Sequence, residues 1–310
     1  MYQSICKATM KKIILFCVLA VFAISCTETK KDHRPHIVCT TSIIGDAVQN
    51  LVGDTIKVTS LMGAGVDPHL YKATQGDIAA LTNADVVVYN GLHLEGKMGE
   101  IFEKLGKTKP TFAIADFVPK NLLINSTDFQ GAEDPHIWFD VTVWVRGVNG
   151  LSKKLQETFP AYADSIEANR QDYAKELYYL HGRIVDQLNQ IPADQRIMIT
   201  AHDAFKYFGK QYSMEVRGLQ GISTTAEYGL QDVSELVKYI TEKKIKAIFV
   251  ESSVPKKSIE AVIEGCRESG HDVKLGGELY SDALGAAGTP EGTYVGMFDH
   301  NVKVITEALK

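Results

Sequence analysis

Apolar residues along this chain form two alternating patterns: short runs rich in Val and Ile, and longer stretches with helical spacing. The short runs are typical of strands, and in the first half of the chain they occupy 36–44, 56–62, 85–91 and 111–115. The helical stretches lie near 43–53, 74–84 and 95–105. Strands that alternate with helices in this way predict an α/β lobe with a parallel sheet.

The same alternation returns in the second half of the chain. Strand-like runs occupy 196–201, 245–252 and 272–279, and helical stretches occupy 231–243, 256–268 and 292–309. A further helix is expected to open at His202, and 141–157 is also interpreted as a helix. The segment 116–135 has no periodicity and is interpreted as a loop. The predicted fold class is therefore α/β, with two lobes that each contain a mostly parallel sheet flanked by helices.

A single amphipathic helix is predicted between the lobes, from 159 to 191. Its apolar residues recur at spacings of three, four or seven, at Tyr162, Ile166, Tyr173, Leu177, Leu180, Ile184, Leu188 and Ile191. A helix of this length would extend about 45 Å. That exceeds the usual dimension of one lobe, so we expect the helix to brace both. The alternatives are a helix packed on one lobe and two helices broken at Gly182.

The N-terminus has the pattern of a secretory signal peptide. Lys11 and Lys12 precede an apolar run that ends at Cys26 and is too short to span a bilayer. The residues before Cys26 resemble a bacterial lipoprotein cleavage box, although Ala23 stands where Leu is usual. We therefore expect a lipid attached to Cys26, with a plain secretory signal as the alternative.

These patterns divide the chain into five segments. They are a signal peptide (1–25), a polar tether (26–34), an N-terminal lobe (35–158), the long connecting helix (159–191) and a C-terminal lobe (192–310). Apart from the signal peptide and Cys26, only Cys39 and Cys266 remain, on different lobes, so we expect two separate thiols rather than a disulfide scaffold.

The net charge of the chain argues against one class of binding partner. The formal net charge is −5, and loss of 1–25 would remove three lysines and no acid, leaving −8. Nucleic acid binding requires a basic face, so this balance argues against it. A mildly acidic protein is compatible with attracting cations.

Three of the nine histidines share a distinctive setting. His69 lies in VDPHLY beyond a predicted strand, His136 lies in EDPHIWFD at the end of the long loop, and His202 follows the strand RIMITA directly. Ligands of open parallel sheets bind beyond the carboxyl ends of strands. Five others are interpreted as structural or solvated: His33, His36, His181, His271 and His300.

Two of these histidines follow Asp-Pro, which makes a stiff turn. Asp67 and Asp134 either accept hydrogen bonds from the imidazoles or only form the turns. For His202, the expected helix start would disfavour the imidazolium and keep the ring neutral, as a metal ligand requires.

Three imidazoles would bind zinc but leave its double charge uncompensated, so a carboxylate is expected to complete the site. Asp282 in ELYSDALG lies just past a predicted strand. Spacing alone does not distinguish it from Glu227, Glu251 or Glu278.

Four segments in order resemble a known family: DPHLYKATQGDIAALTNADVVVYNGLHLE, DPHIWFD, TAHDAFKYFG and GELYSDALG. The chain resembles the metal-specific solute-binding proteins of ABC importers, the cluster A-I or TroA-like group, over essentially its whole mature length. The resemblance implies two lobes joined by one long helix, with an ion in the cleft between them. It also implies that His69 and His136 are the N-lobe ligands, and that His202 and Asp282 are the C-lobe ligands.

The chain departs from the family pattern in several places. Zinc-dedicated members often carry a His-rich loop, but 116–135 contains no His, whereas manganese-dedicated members often carry Glu where this chain has His202. The segment 221–231 lacks the family's Pro-rich GIS motif, so no role is carried over to Glu227. His93 is an additional candidate, expected as a loop residue, with a ligand or rim contact as the alternative.

The predicted function is capture of one divalent transition metal ion per chain, zinc favoured and manganese or iron possible, for delivery to an ABC permease. The protein is expected to be a lipid-anchored monomer at the periplasm or cell surface, and not an enzyme. The alternatives are a surface adhesin on the same fold and a secreted zinc hydrolase. A hydrolase needs an open coordination position, and four protein ligands would close the site.

Overall fold

The first lobe is built on a four-stranded parallel sheet. The computed structural model describes residues 33–126 and 131–310, so the predicted signal peptide (1–25) and Cys26 lie outside the described residues. The sheet order is β2-β1-β3-β4, with every neighbouring pair parallel. The elements run β1 His36–Thr41, α1 Ser42–Val52, β2 Lys57–Met62, α2 Gln75–Asn83, β3 Val86–Tyr89, α3 Gly99–Gly106 and β4 Thr111–Ala113.

Both faces of this sheet are covered, which explains why its central strands contain runs of successive apolar residues. Ile37 and Cys39 belong to the main core, on the side of α1. Val38 and Val87 belong to a second core with Leu81 of α2 and Phe102 of α3. Successive residues of a strand point to opposite faces, so a strand buried on both sides reads as a continuous apolar run.

The segment that follows β4 in the first lobe is irregular. The predicted loop 116–135 contains a 3₁₀ turn at Lys120–Leu122, and an isolated antiparallel bridge joins Asn125 to Glu133. A second 3₁₀ turn at Ile137–Phe139 leads into α4, Val141–Thr158. The Asp140 carboxylate caps α4 by accepting from two of its first backbone N–H groups.

The second lobe contains two parallel strand pairs. The elements run β5 Ile197–His202, α6 Lys206–Tyr212, β6 Glu215–Gln220, α7 Leu230–Lys243, β7 Ala247–Glu251, α8 Lys257–Glu268, β8 Lys274–Leu279 and α9 Tyr294–Leu309. Strand β5 pairs with β6, and β7 pairs with β8. The Glu251 carboxylate, at the end of β7, accepts from the backbone N–H of His202, at the end of β5, at 2.8 Å.

Helix α5, Ala163–Leu188, is the long connecting helix, and at 26 residues it extends about 39 Å. It is shorter than predicted at both ends, because a 3₁₀ turn occupies Pro160–Tyr162 and the helix ends at Leu188; Gly182 does not interrupt it. The predicted apolar stripe is its buried face. Asn169 donates to the Leu51 carbonyl of α1, and Arg183 pairs with Asp299 of α9. The helix therefore braces both lobes.

Two features of the second lobe differ from the prediction. The helix after β5 begins at Lys206, so His202 is the last residue of a strand and not the first of a helix. Strand β6 was not predicted, because only one of its six residues is buried and they carry no apolar alternation. Gly218 permits its pairing with β5, since a Cβ there would lie 2.5 Å from the His202 carbonyl carbon.

Cys39 and Cys266 are both buried free thiols, as predicted. Within the described ranges, no helix combines the length and the apolar character needed to cross a bilayer.

Candidate metal centre

Four buried side chains meet between the lobes, and their donor atoms all lie within 4.8 Å of one another. They are His69, His136, His202 and Asp282, and none is more than 4 % exposed. His69 Nε2 lies 3.4 Å from His136 Nε2. The Asp282 carboxylate faces two rings, with Oδ1 3.5 Å from His136 Nε2 and Oδ2 3.4 Å from His202 Nε2.

Each lobe supplies two of these side chains. His69 lies in the loop after β2, and His136 directly precedes the 3₁₀ turn at Ile137–Phe139. His202 ends β5, and Asp282 lies three residues beyond β8. Three of the four therefore lie at or just beyond the carboxyl ends of parallel strands, where the sequence placed them.

Asp134 performs both of the roles that the sequence left open. Its Oδ1 accepts from the backbone N–H of His136 at 2.9 Å, which forms the turn. The same oxygen lies 2.7 Å from the ring Nδ1, which leaves Nε2 directed at the cluster. A carboxylate in this position fixes the tautomer and orientation of an imidazole ligand.

Asp67 forms the other Asp-Pro-His turn and also bonds across the cleft. Its Oδ1 accepts from the backbone N–H of His69 at 2.8 Å. Its Oδ2 accepts from the Thr224 hydroxyl at 2.6 Å, which joins the first lobe to the second. Asp67 therefore positions the backbone of His69.

Glu251 is the residue whose role the sequence did not reveal. Its Oε2 lies 2.6 Å from His202 Nδ1, and both side chains are fully buried. Glu251 occupies the same position relative to His202 as Asp134 does relative to His136, so each of these two rings has a carboxylate at its Nδ1. The sequence predicted that Glu251 lies at the end of a strand. It did not show whether this carboxylate would bind a metal ion itself or bond to a histidine of the cluster.

The remaining sequence candidates lie outside the cluster. Glu278 pairs with Lys256 at 2.7 Å on the surface, and Glu227 is exposed. His93 is also exposed and lines a cavity of about 360 Å³ beside His69. Four of the five histidines interpreted as structural or solvated bond to other groups: His36 to Thr59, His181 to Tyr212, His271 to the Ile245 carbonyl and His300 to the Glu278 carbonyl.

Electrostatics inside the cluster favour a charged, protonated state of two rings. Burial alone would lower the pKa of His136, but the Asp134 and Asp282 carboxylates raise it to about 9. Burial is likewise outweighed at His202, whose pKa Glu251 and Asp282 raise well above its usual value. The expected neutral His202 is therefore wrong for the metal-free site, because carboxylates and not a helix terminus surround that ring.

The other two donors need no deprotonation at neutral pH. Burial lowers the pKa of His69 to about 3, so this ring is neutral. Burial would raise the pKa of Asp282, but the His202 and His136 rings hold it well below its usual range. The cluster therefore contains one carboxylate, one neutral imidazole and two rings that would release a proton to bind a cation.

The spacing of these donors suits one metal ion. Zinc–nitrogen bonds of about 2.1 Å in a tetrahedron place neighbouring donors about 3.4 Å apart. Three of the separations between donor atoms, at 3.4–3.5 Å, match this spacing, and all of them are within 4.8 Å. His202 Nε2 and Asp282 Oδ1 are buried, yet no hydrogen bond within the described residues satisfies them. Buried polar atoms without a partner are uncommon in protein interiors, and a coordinated cation would satisfy these two.

These features define a two-lobed metal-binding protein. Helix α5 braces two lobes with parallel strands, and both lobes contribute side chains to one cluster of possible metal ligands. Residues 37–308 match the family described as ZnuA, zinc-uptake complex component A, periplasmic, and the chain belongs to that family.

Named relatives bind different metals. The chain is 49 % identical to the manganese-binding lipoprotein MntA of Bacillus subtilis (strain 168), over 96 % of this chain and 97 % of that protein. It is 42 % identical to the zinc-binding protein TroA of Treponema pallidum (strain Nichols), over 96 % of this chain and 98 % of that protein. A solved structure of periplasmic zinc-binding TroA from Treponema pallidum superposes with a TM-score of 0.86 and 43 % identity, covering 89 % of this chain and 99 % of that chain.

Proposed function

We propose that this protein captures one divalent transition metal ion between its lobes and delivers it to an ABC permease. His69, His136, His202 and Asp282 are its ligands in this proposal. The observation that carries it is the convergence of three imidazoles and one carboxylate, two from each lobe, in a buried cluster. A cation bound there would join the lobes directly and stabilise their closed arrangement.

Zinc is the favoured cargo, with manganese or iron(II) as alternatives. Intrinsic affinity at a site of nitrogen and oxygen donors favours zinc over manganese. Both oxygens of Asp282 face the cluster, so five donors are available from four side chains. Five-coordinate binding would suit manganese or iron(II), and relatives named for zinc and for manganese are both similar to this chain.

Release would require the lobes to separate at the cluster. Bonds such as Asp67 to Thr224 already join the lobes in addition to any ion. The α5 brace contacts both lobes and favours a small tilt over a wide hinge motion. Docking on the permease would supply the interactions that favour the open state.

The proposal places the mature protein outside the cytoplasm, held by a lipid on Cys26 after removal of 1–25. The support is the charged and apolar leader together with the lipoprotein name of the Bacillus subtilis relative. One chain contributes all four donors, so a monomer suffices to bind the ion. Four protein ligands leave no open position for a reacting water, which argues for carriage and against catalysis.

The test is metal content and metal titration of the mature chain. Protein purified without added metal should contain about one equivalent of zinc, manganese or iron, and the metal-free form should rebind it. His136→Ala combined with Asp282→Ala should abolish binding, because one ligand is lost from each lobe. His271→Ala, which changes a histidine remote from the cluster, should bind like the unaltered protein. Unchanged binding in the double variant would refute the assignment.

A further inference from the structure

We propose that the cavity beside His69 is an outer metal site, in which His93 and Glu133 hold a hydrated divalent ion before it passes to His69. The outer site is defined by these two side chains, which line the same cavity of about 360 Å³. This inference rests on the proposed function and adds the path by which the metal ion reaches the inner cluster. The ligand class is an aquated divalent transition metal ion.

The position of His69 sets the direction of the path. Of the four clustered donors, His69 lines the cavity, whereas His136, His202 and Asp282 are at most 1 % exposed and do not. An ion that arrives through this cavity therefore meets the His69 ring first. The inner carboxylate and the other two rings are reached only beyond it.

The cavity offers donors of the same kinds as the inner cluster. His93 is exposed and Glu133 is half-buried, and neither side chain has a hydrogen bond or ion pair with any described residue. Much of the remaining wall is apolar, including Leu92, Pro135 and Ile222. An imidazole and a carboxylate could replace waters of the ion one at a time, which lowers the cost of dehydrating it before it enters the buried cluster.

The backbone of His93 is held in an unfavourable conformation. Gly91, Leu92 and His93 follow one another with φ of 87°, 52° and 63°, in the left-handed region that non-glycine residues seldom adopt. The buried Glu95 carboxylate fixes this turn by accepting from the Asn90 N–H at 2.8 Å and from the Thr40 hydroxyl at 2.6 Å. Strain that the surrounding structure imposes is characteristic of functional sites.

Lys97 lines the same cavity and provides a matched control. Its ammonium donates to the Leu70 carbonyl at 3.3 Å. This positive charge does not assist a cation, so Lys97→Gln changes the wall of the cavity without removing a donor. The outer site is identified if metal association slows when His93 or Glu133 is changed but not when Lys97 is changed.

The experiment is stopped-flow mixing of the metal-free mature chain with Zn²⁺, and separately with Mn²⁺, followed by tryptophan fluorescence. The variants are His93→Asn, Glu133→Gln and both together; Asn is chosen because it tolerates the left-handed backbone. The double variant should bind about tenfold more slowly, at the low end of the gains that charged funnels provide. Because an outer site serves passage in both directions, dissociation should slow by the same factor and Kd should not change.

Three results would overturn the inference while leaving the proposed function intact. They are a double variant with unchanged association rate, a variant with weaker Kd and an unchanged association rate, and a Lys97→Gln variant that slows as much as the donor variants. The single variants are measured separately, so poor folding of the double variant would not prevent a decision. Failure of the unaltered chain to bind either metal would instead refute the proposed function.

Discussion

The indole N–H of Trp138 donates to the carbonyl of Ser281 at 3.0 Å, so a first-lobe side chain is bonded to the residue directly before Asp282. The same indole packs edge-on against the His136 ring, with centroids 5.2 Å apart. Trp138 therefore contacts a cluster residue from the first lobe and the backbone beside a cluster residue from the second. It couples the two halves of the cluster without offering an atom that could bind a metal ion.

Trp138→Phe should weaken this coupling. Phenylalanine keeps an aromatic ring against His136 but leaves the buried Ser281 carbonyl without its donor, at a cost of about 1–3 kcal/mol. We expect the free energy of unfolding of the metal-free protein to fall by about that amount, and the dissociation rate of the metal to rise. Urea denaturation and metal release to a chelator measure the two effects.

Trp144→Phe is the matched control for the loss of indole volume. Trp144 is fully buried and stacks on Tyr294, whereas Trp138 packs against the ring of His136. This variant should lose stability through packing but release metal at the normal rate. Equal metal release from the two tryptophan variants would contradict a coupling role for Trp138.

Asp134→Asn should lower metal affinity about 10- to 100-fold, the usual effect of losing a carboxylate behind an imidazole ligand. The amide can still form the turn at His136, but it makes the imidazole less basic and competes in its choice of tautomer. Competition with a chelating dye measures the loss. Asp67→Asn is the control from the same motif, since Asp67 bonds the His69 backbone and Thr224. A larger loss of affinity in Asp67→Asn than in Asp134→Asn would contradict the assignment.

Metal affinity should rise steeply with pH across the neutral range. The pKa of His136 is raised to about 9, after burial is offset by Asp134 and Asp282, and that of His202 is raised well above its usual value. An ion must therefore displace about two protons at pH 7, which predicts about a 100-fold gain in affinity per pH unit. Asp282 stays ionised throughout, because its pKa is held well below the usual range.

Calorimetry in buffers of different ionisation enthalpy counts the released protons directly. His136→Gln should release about one proton fewer than the unaltered chain, even where it still binds metal weakly. An affinity that does not change between pH 6 and pH 8 would show that the two rings are neutral in the metal-free site.

Most of the fold could be read from apolar spacing, because its strands and helices bury one or both faces. The stripe from Ile166 to Leu188 is the buried side of α5, and the apolar run in β1 reflects helices on both sides of the sheet. Strand β6 could not be predicted in this way, since only one of its residues is buried and its pairing depends on the absence of a Cβ at Gly218. The confirmed prediction of two lobes followed from the long-range pattern, not from any single element.

Part of the candidate site could likewise be predicted from the sequence, and part could not. Asp-Pro-His and the strand ends pointed to the residues that converge, because those local turns are encoded by adjacent residues. The partnership of Glu251 with His202 spans 49 positions and depends on how β5 lies beside β7. The sequence does not reveal which distant residues become neighbours in the fold. Residue type alone therefore could not show that Asp282 joins the cluster and that Glu251 lies behind the His202 ring.

Asp46→Asn should stabilise the protein at alkaline pH. Burial raises the pKa of Asp46 to about 6, with a smaller contribution from Glu176, and its Oδ2 accepts from the Tyr294 N–H at 3.1 Å. A carboxyl whose folded pKa lies above its unfolded value stabilises the fold below about pH 4 and loses that contribution as pH rises through 6. Asparagine stays neutral and can still accept the bond, so we expect a gain of about 1–2 kcal/mol at pH 8 that shrinks at pH 5. Urea denaturation at both pH values measures it, with exposed Asp186→Asn as the control; a gain that is equal at the two pH values would show that ionised Asp46 does not oppose folding.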